Sequence, residues 1–337
     1  LNNGAAVPSW SDDAASFISA HVRGYAGISR LQRDASTREY FRVSAEDASY
    51  ILCRDAAFIH VGESDYPFLI MYGLLKDFVP VPYVHAFDCE KGLLLLQDMG
   101  DDCLEYAYPF FDRERTMRVY ESCIDYLFAI QRLKGEGAVP FRRGFDVAML
   151  MHEFDFFIKH CLTGFFRAVA APGELEMLRA EFLKISGILH RPEIFVLNHR
   201  DFHSRNIIIF EGTPYLIDFQ DARMGLPQYD AVSLLRDSYL RLETEMYAYL
   251  KSYYYEGGMD TGVFSMGRDE FEYYFDIIAF QRNIKALGTF GYQSATGNRR
   301  YEKYIPGTVA YLPEYAEGRD ELKKAWLILN RHIGQKV

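Results

Sequence analysis

Leu197-Asn198-His199-Arg200-Asp201-Phe202-His203-Ser204-Arg205-Asn206 is the stretch on which the reading of this chain turns. An apolar run, Phe195-Val196-Leu197, leads into it, and a second, Ile207-Ile208-Ile209-Phe210, leads out. The turn Glu211-Gly212-Thr213-Pro214 then sends the chain back along Tyr215-Leu216-Ile217, a hairpin pattern. A hairpin of this length returns Asp218 close to the start of the loop. Asp201, Asn206 and Asp218 therefore converge without long connections.

Those three side chains suit one chemistry. Mg²⁺ prefers oxygen ligands, keeps several waters, and takes few protein carboxylates beside substrate phosphates. Asn206 and Asp218 meet that demand as metal ligands. Asp201 is left to orient a nucleophilic hydroxyl and accept its proton. Phosphoryl transfer asks for little beyond alignment, a metal and neutralised charge. An isolated loop Asp is usually a turn cap; the register with Asn206 and Asp218 favours the catalytic reading.

Outward from the loop, the two halves differ. Ser11-Asp12-Asp13 opens a first helix, a capping hydroxyl followed by acids. From Ile28 the period changes to strands, with 38–43 and 49–53 joined by Ala45-Glu46-Asp47. A helix from about Glu63 to Phe78 is ended by Pro80 and Pro82, and strands follow at 83–87 and 93–97. Asp98-Met99-Gly100-Asp101-Asp102 reads as a boundary. Beyond it the pattern predicts helices at about 113–133, 146–162, 173–190, 228–238, 243–256, 268–288, 305–315 and 319–332.

His199-x-Asp201-x-x-x-x-Asn206 followed by Asp218-Phe219-Gln220 resembles the catalytic and metal loops of kinase-like folds. The fuller string from His199 to Asn206 resembles the HxDxHxxN loop of aminoglycoside phosphotransferases and their small-molecule kinase relatives. Ile217 to Ala222, with Gly225-x-Pro227-x-Tyr229-Asp230, fits the same family after the metal Asp. The resemblance implies an α+β, bilobed protein-kinase-like fold. Residues 1–97 would form an antiparallel sheet lobe with one main helix, 98–103 a hinge, and 104–337 a larger, mostly helical lobe. It also implies ATP and Mg²⁺.

The family places its nucleotide loop where Arg33-Asp34-Ala35-Ser36-Thr37-Arg38 stands. The loop has no glycine, so Ser36 and Thr37 read either as phosphate contacts or as an ordinary polar turn. The family's third strand usually carries a Lys. Here it runs Tyr50-Ile51-Leu52-Cys53-Arg54-Asp55, leaving Arg54 as the candidate cation, with Glu63 or Asp65 as its partner, or as a solvated strand-end Arg. Leu93 to Gly100 resembles the inter-lobe hinge, whose backbone near Gln97 and Met99 would hydrogen-bond adenine. His199, His203 and Asp230 read as structural supports of the loop. Asp221 reads as a metal-side or substrate carboxylate, or equally as a helix cap.

Gln281, Arg282 and Lys285 cluster on a predicted helix, either as a substrate-reading face or as a solvated one. Together with Arg33–Arg42 and Leu94–Asp101, they make the chain similar to bacterial anomeric kinases of N-acetylmuramate and N-acetylglucosamine, used in cell-wall recycling. That similarity implies a sugar 1-phosphate product. Two alternatives stand beside it. Asp98, Asp101 and Asp102 would suit an aminoglycoside acceptor. The missing Lys and the glycine-free loop would suit a nucleotide-binding regulator without catalysis.

The bulk properties narrow the field. A net charge of −10 over 337 residues disfavours a nucleic-acid surface. No run approaches the ~18 apolar residues of a membrane span. The start, Leu1-Asn2-Asn3-Gly4, lacks an export signal, and five scattered cysteines form no CxxC pair. The expectation is a cytoplasmic protein with a small-molecule hydroxyl substrate and no nucleic-acid, membrane or protein partner.

Overall fold

Alternating bulk in the first hundred residues becomes a five-stranded sheet. In the computed structural model, which describes residues 12–31, 38–135 and 137–334, the strands are Tyr25–Arg30 (β1), Glu39–Ala45 (β2), Ser49–Arg54 (β3), Val84–Asp88 (β4) and Leu93–Gln97 (β5). All neighbours are antiparallel, in the order β1-β2-β3-β5-β4. Successive side chains of a strand point to opposite faces. The register Tyr40↔Cys53 and Phe41↔Leu52 therefore sorts the sheet into two sides. Phe41, Val43, Leu52, Leu93 and Leu95 pack against Phe17 and Ile18 of the helix Asp12–His21 (α1). Tyr40, Ile51, Cys53, Leu94 and Leu96 face Phe58, Tyr66 and Phe68 on the other side.

The expected helix at 63–78 is instead two helices, Ala56–Val61 (α2) and Pro67–Leu75 (α3). Asp55 caps α2 by accepting from the Ala57 N–H at 2.9 Å. Gly62, at φ +72°, stops it, and Pro67 restarts the chain at a first-turn position where no N–H is needed. The sheet region thus carries three helices rather than one main helix.

Residues 98–103 lead into the helical region. Its helices are Leu104–Ala107 (α4), Arg113–Gln131 (α5), Val139–Arg142 (α6), Val147–Phe157 (α7), Glu174–Leu189 (α8), Gln228–Leu235 (α9), Thr244–Asp260 (α10), Arg268–Ala295 (α11), Ile305–Val309 (α12), Leu312–Gly318 (α13) and Asp320–Ile333 (α14). The stretch expected as one helix at 305–315 divides before Pro313, which stands in the first turn of α13. Helix α7 runs on through a wider π-helical segment, Ile158–Phe165.

Helix α11 is the axis of this region and extends seven residues past the expected end at 288. Every residue from Ile277 to Ile284 is buried, polar ones included. A helix buried all round belongs to a core, so each polar side chain on it needs an internal partner. Two glycines set how closely it packs. A Cβ on Gly291 would lie 2.5 Å from the His160 carbonyl oxygen, and one on Gly288 would lie 3.0 Å from Phe157 Cα.

The β insertion is present as expected, with one addition. Ile207–Phe210 (β7) and Thr213–Leu216 (β8) pair in a hairpin, Ile207 opposite Leu216; Val196–Asn198 (β6) precedes them. Arg223–Gly225 (β9) pairs with β6, and its three residues are too few to show a period in the sequence. Among the described residues no helix is long and apolar enough to cross a membrane, and the five cysteines are unpaired.

Candidate active site

The loop after β6 is held by backbone-directed bonds. Arg200 adopts φ +81°, a left-handed conformation that disfavours a side-chain-bearing residue by about 1–2 kcal/mol. Asp230, in the first turn of α9, holds it there. One carboxylate oxygen accepts the His199 N–H at 2.5 Å, and the other accepts the Arg200 N–H at 2.9 Å. His199 Nε2 donates to the Ile217 carbonyl oxygen at 3.0 Å, which ties the loop to the strand end carrying Asp218. Burial lowers the His199 pKa, so the ring stays neutral and can play this structural part. The far end is fixed as well. Asp237 accepts the Ser204 N–H at 2.8 Å, and Asn206 Nδ2 donates to the Asp201 carbonyl at 2.9 Å. The Ile217 N–H reaches the Asn206 carbonyl at 3.0 Å.

Asp201 projects beside a solvent-open cavity lined by His203, Asp237, Tyr239, Arg282 and Lys285 among others. Lys285 Nζ lies 2.9 Å from Asp201 Oδ1, and Arg282 Nη2 lies 3.7 Å from the same oxygen. Burial disfavours charge on Asp201, but Lys285, Arg282 and Arg200 outweigh it and hold the carboxyl well below the usual carboxylate range. Burial, reinforced by Arg282, pushes His203 down to about 3, so that ring contributes no charge. It meets Tyr239 edge-on at 5.1 Å.

The cluster read on α11 is divided by the structure. Arg282 and Lys285 come together at Asp201. Gln281 turns away and donates to Glu153 at 2.7 Å, with only 1% of its surface exposed. Glu153 also meets Arg200 at 3.4 Å, and Arg200 lies 3.7 Å from the exposed Asp221. A solvated face is thereby excluded for Gln281 and Arg282, since both are buried with partners.

Asn206 and Asp218 keep free oxygens for a cation. The Asn206 amide nitrogen is committed to Asp201, which leaves its Oδ1. Asp218 Oδ1 accepts from Gln220 Nε2 at 2.6 Å, which leaves Oδ2. One amide oxygen and one carboxylate form a hard donor set that fits Mg²⁺, an ion completed by water and phosphate. Asp218 sits at φ +64°, and the following Phe219 is buried and stacks on Phe68 at 5.0 Å. The segment after Asp218 is thus packed against the sheet region's α3.

On the nucleotide side, Ser36 and Thr37 lie outside the described residues. Arg54 falls on the sheet face shared with Leu52 and α1, away from Asp218. It is 55% exposed and pairs with Glu39 at 3.6 Å, rather than with Glu63 or Asp65. Parity along β3 explains this: Cys53 takes the cleft-facing position and Arg54 the opposite one. Among the described residues, Arg38 is a cation on the cleft side. Its Nε lies 2.8 Å from Asp55, whose same oxygen accepts the Tyr66 hydroxyl at 2.7 Å. Tyr40, two residues along β2 on that face, is near enough to Asp218 for its charge to help raise the phenol pKa, after burial and Cys53.

The 98–103 segment is clamped to the sheet. Arg42 contacts Asp98 at 2.6 and 3.1 Å and Asp101 at 2.9 Å twice. The Gln97 side chain accepts the Tyr83 N–H at 3.2 Å, and Met99 packs with Cys103 and Ile208. Other supports had no local sequence signal. Arg205 pairs with Glu105 at 2.7 Å while its guanidinium lies 4.7, 4.9 and 5.6 Å from the rings of Tyr239, Tyr301 and Tyr304. Asp237, Glu153 and this cage draw on residues up to 199 positions apart.

The chain is similar to known proteins. The model of the "Phosphotransferase enzyme family" matches residues 27–262. The N-acetylmuramate/N-acetylglucosamine kinase of Pseudomonas aeruginosa is 31% identical over 84% of this chain and 84% of its own. The protein of the same name from Neisseria meningitidis serogroup B is 28% identical over 90% of each. The crystal structure of ADP-bound aminoglycoside phosphotransferase APH(2'')-Ib superposes with a TM-score of 0.60 at 13% identity, covering 89% of this chain and 97% of that one. At that identity the likeness is one of fold. Taken with the geometry above, the family match over most of its length means that this chain belongs to the phosphotransferase enzyme family.

Proposed function

We propose that this chain is an ATP- and Mg²⁺-dependent kinase of an amino sugar such as N-acetylmuramate or N-acetylglucosamine, acting at the anomeric hydroxyl. The observation that carries the reading is Asp201, ionised by Lys285 and Arg282, at the wall of a solvent-open cavity. The names of the relatives support the sugar.

The nucleotide lies between residues 1–97 and 104–337, with 98–103 as the hinge and the backbone near Gln97 and Met99 meeting the base. Ser36, Thr37 and Arg38 serve the phosphates; Arg38 takes the place first assigned to Arg54. Asn206 and Asp218 would hold Mg²⁺, whose charge offsets the negative charge on the transferred phosphoryl group. Asp201 accepts the acceptor's hydroxyl proton through Oδ2, since Oδ1 is occupied by Lys285. The sugar oxygen bonds to the γ-phosphorus as the bond to the β-phosphate oxygen breaks, and ADP leaves. A carboxylate this strongly ion-paired is a weak base, and an anomeric hydroxyl, more acidic than a simple alcohol, suits it. His199, His203 and Asp230 position the loop, and Gln281 and Asp221 act through Glu153 and Arg200. The site is read as cytoplasmic because ATP is available there.

The aminoglycoside alternative leaned on Asp98, Asp101 and Asp102. Two of these are engaged by Arg42, which weakens it. The inactive-regulator alternative is weakened by the presence of Asp201, Asn206 and Asp218 together in one chain. The test is a panel of amino sugars and aminoglycosides with γ-labelled ATP. A sugar 1-phosphate identified by its lability and by phosphorus NMR is expected. Transfer to aminoglycosides alone, or to no acceptor, would overturn the proposal.

A further inference from the structure

Among the described residues, the acceptor cavity has cations near its reacting end and no uncommitted carboxylate to receive another. Lys285 and Arg282 are largely buried, with side chains 15% and 8% exposed, and both point at Asp201. Arg236 also lines the cavity, paired outward with Glu314 at 2.9 Å. Of the two lining carboxylates, Asp201 must meet the reacting hydroxyl. Asp237 has both oxygens committed, to the Ser204 N–H at 2.8 Å and the Tyr239 N–H at 2.9 Å. Burial raises Asp237 to about 6, which further weakens it as a counter-ion, and His203 stays neutral. A ligand ammonium entering here would lose its hydration and face Lys285 without an ion-pair partner, which is costly in a partly buried site.

We propose that Lys285, with Arg282 behind it, is the charge filter of the acceptor site, admitting N-acylated and carboxylate-bearing sugars and rejecting the free-amine form. The inference rests on the sugar-kinase reading and goes further, because it says which side chains choose among acceptors. On a sugar reacting at the anomeric oxygen, the 2-substituent is carried by the adjacent ring carbon, so its charge is felt next to the Lys285–Asp201 pair. An acetamido group there is neutral; an amine is not. Both cations come from α11, beyond the residues 27–262 that the family model matches.

The experiment uses three acceptors on one ring framework: N-acetylglucosamine, N-acetylmuramate and glucosamine. For each, kcat/KM is measured with the wild-type chain, Lys285→Gln and Lys285→Arg. The wild type should prefer N-acetylglucosamine to glucosamine at least tenfold. Lys285→Gln should lower turnover of both, because Lys285 touches Asp201, yet shrink that ratio at least tenfold. Lys285→Arg, which keeps the charge, should restore the ratio. A purely structural role for Lys285 would lower all three acceptors together and leave the ratio alone. An unchanged ratio in Lys285→Gln, or a wild type indifferent to the amine, overturns the inference. If the wild type phosphorylates none of these sugars, the sugar reading falls by itself. The filter is then read by calorimetry with kanamycin and its per-N-acetylated form. Selective strengthening of kanamycin binding in Lys285→Gln upholds it. Equal binding to both proteins, or binding to neither, overturns it.

Discussion

Asp230→Asn is the substitution that tests most directly how the catalytic loop is held. The carboxylate uses its two oxygens on two successive backbone N–H groups, of His199 and Arg200. An amide of the same shape keeps one acceptor and turns an N–H donor towards the other group. Leaving that buried N–H unsatisfied costs about 1–3 kcal/mol. This is as large as the about 1–2 kcal/mol by which left-handed backbone at Arg200 is disfavoured, so the loop relaxes rather than staying in place. A displacement of ~1 Å at Asp201 lowers the rate about 100-fold. Single-turnover transfer from labelled ATP at saturating nucleotide should therefore fall about 100-fold. Transfer within about threefold of wild type would refute the reasoning.

The same residue predicts opposite pH slopes for activity and stability. Burial raises Asp230 from 3.8 to about 7, despite the two N–H donors. A folded-state pKa raised above the unfolded one means that the group's stabilisation is complete below about 4 and is lost as pH rises through about 7. The loop needs both oxygens as acceptors, so kcat should instead drop as pH falls below about 7. Parallel melting and kcat profiles check this, and slopes of the same sign would contradict it.

Asp201→Ala should reduce turnover by about 10²–10⁴-fold while MgATP binding by calorimetry persists. Arg38→Ala should raise the KM for ATP about tenfold or more, from loss of a charge-assisted contact, whereas Arg54→Ala, on the far face of the sheet, should be near wild type in steady-state assays. Gly291→Ala should lower thermal stability by about 1–3 kcal/mol or more, because its Cβ would meet the His160 backbone and cannot be accommodated by a side-chain rotation. An unchanged melting temperature would mean that α11 and the π-helical segment are less tightly apposed.

What could be read from the chain before folding was whatever depends on neighbours in sequence. The loop from His199 to Asn206, the hairpin after it and the Asp218 turn are local, and their spacing was enough to bring Asp201, Asn206 and Asp218 into one region. Strand alternation at 38–43 and 49–53, matching β2 and β3 to within a residue or two, and the long helical periods of α5, α8 and α14 were equally legible. The break at Gly62 was missed because a glycine inside an apolar run is a weak signal against the helical pattern around it. Arg54 was favoured as the phosphate cation because it follows the third strand. Which face it occupies depends on register with β2, a pairing that sequence spacing alone leaves open by one residue.

The sequence by itself set the candidate constellation, since a short loop can gather Asp201, Asn206 and Asp218 through local turns alone. Only the tertiary structure decided how that constellation is charged and addressed. Lys285 and Arg282 reach Asp201 across more than eighty residues, and Asp230 reaches back thirty to hold the loop. The physical reason is that the charge on a carboxylate depends on what lies within a few ångströms of it in space. Burial removes water from the site and leaves side chains brought from distant helices to set that balance.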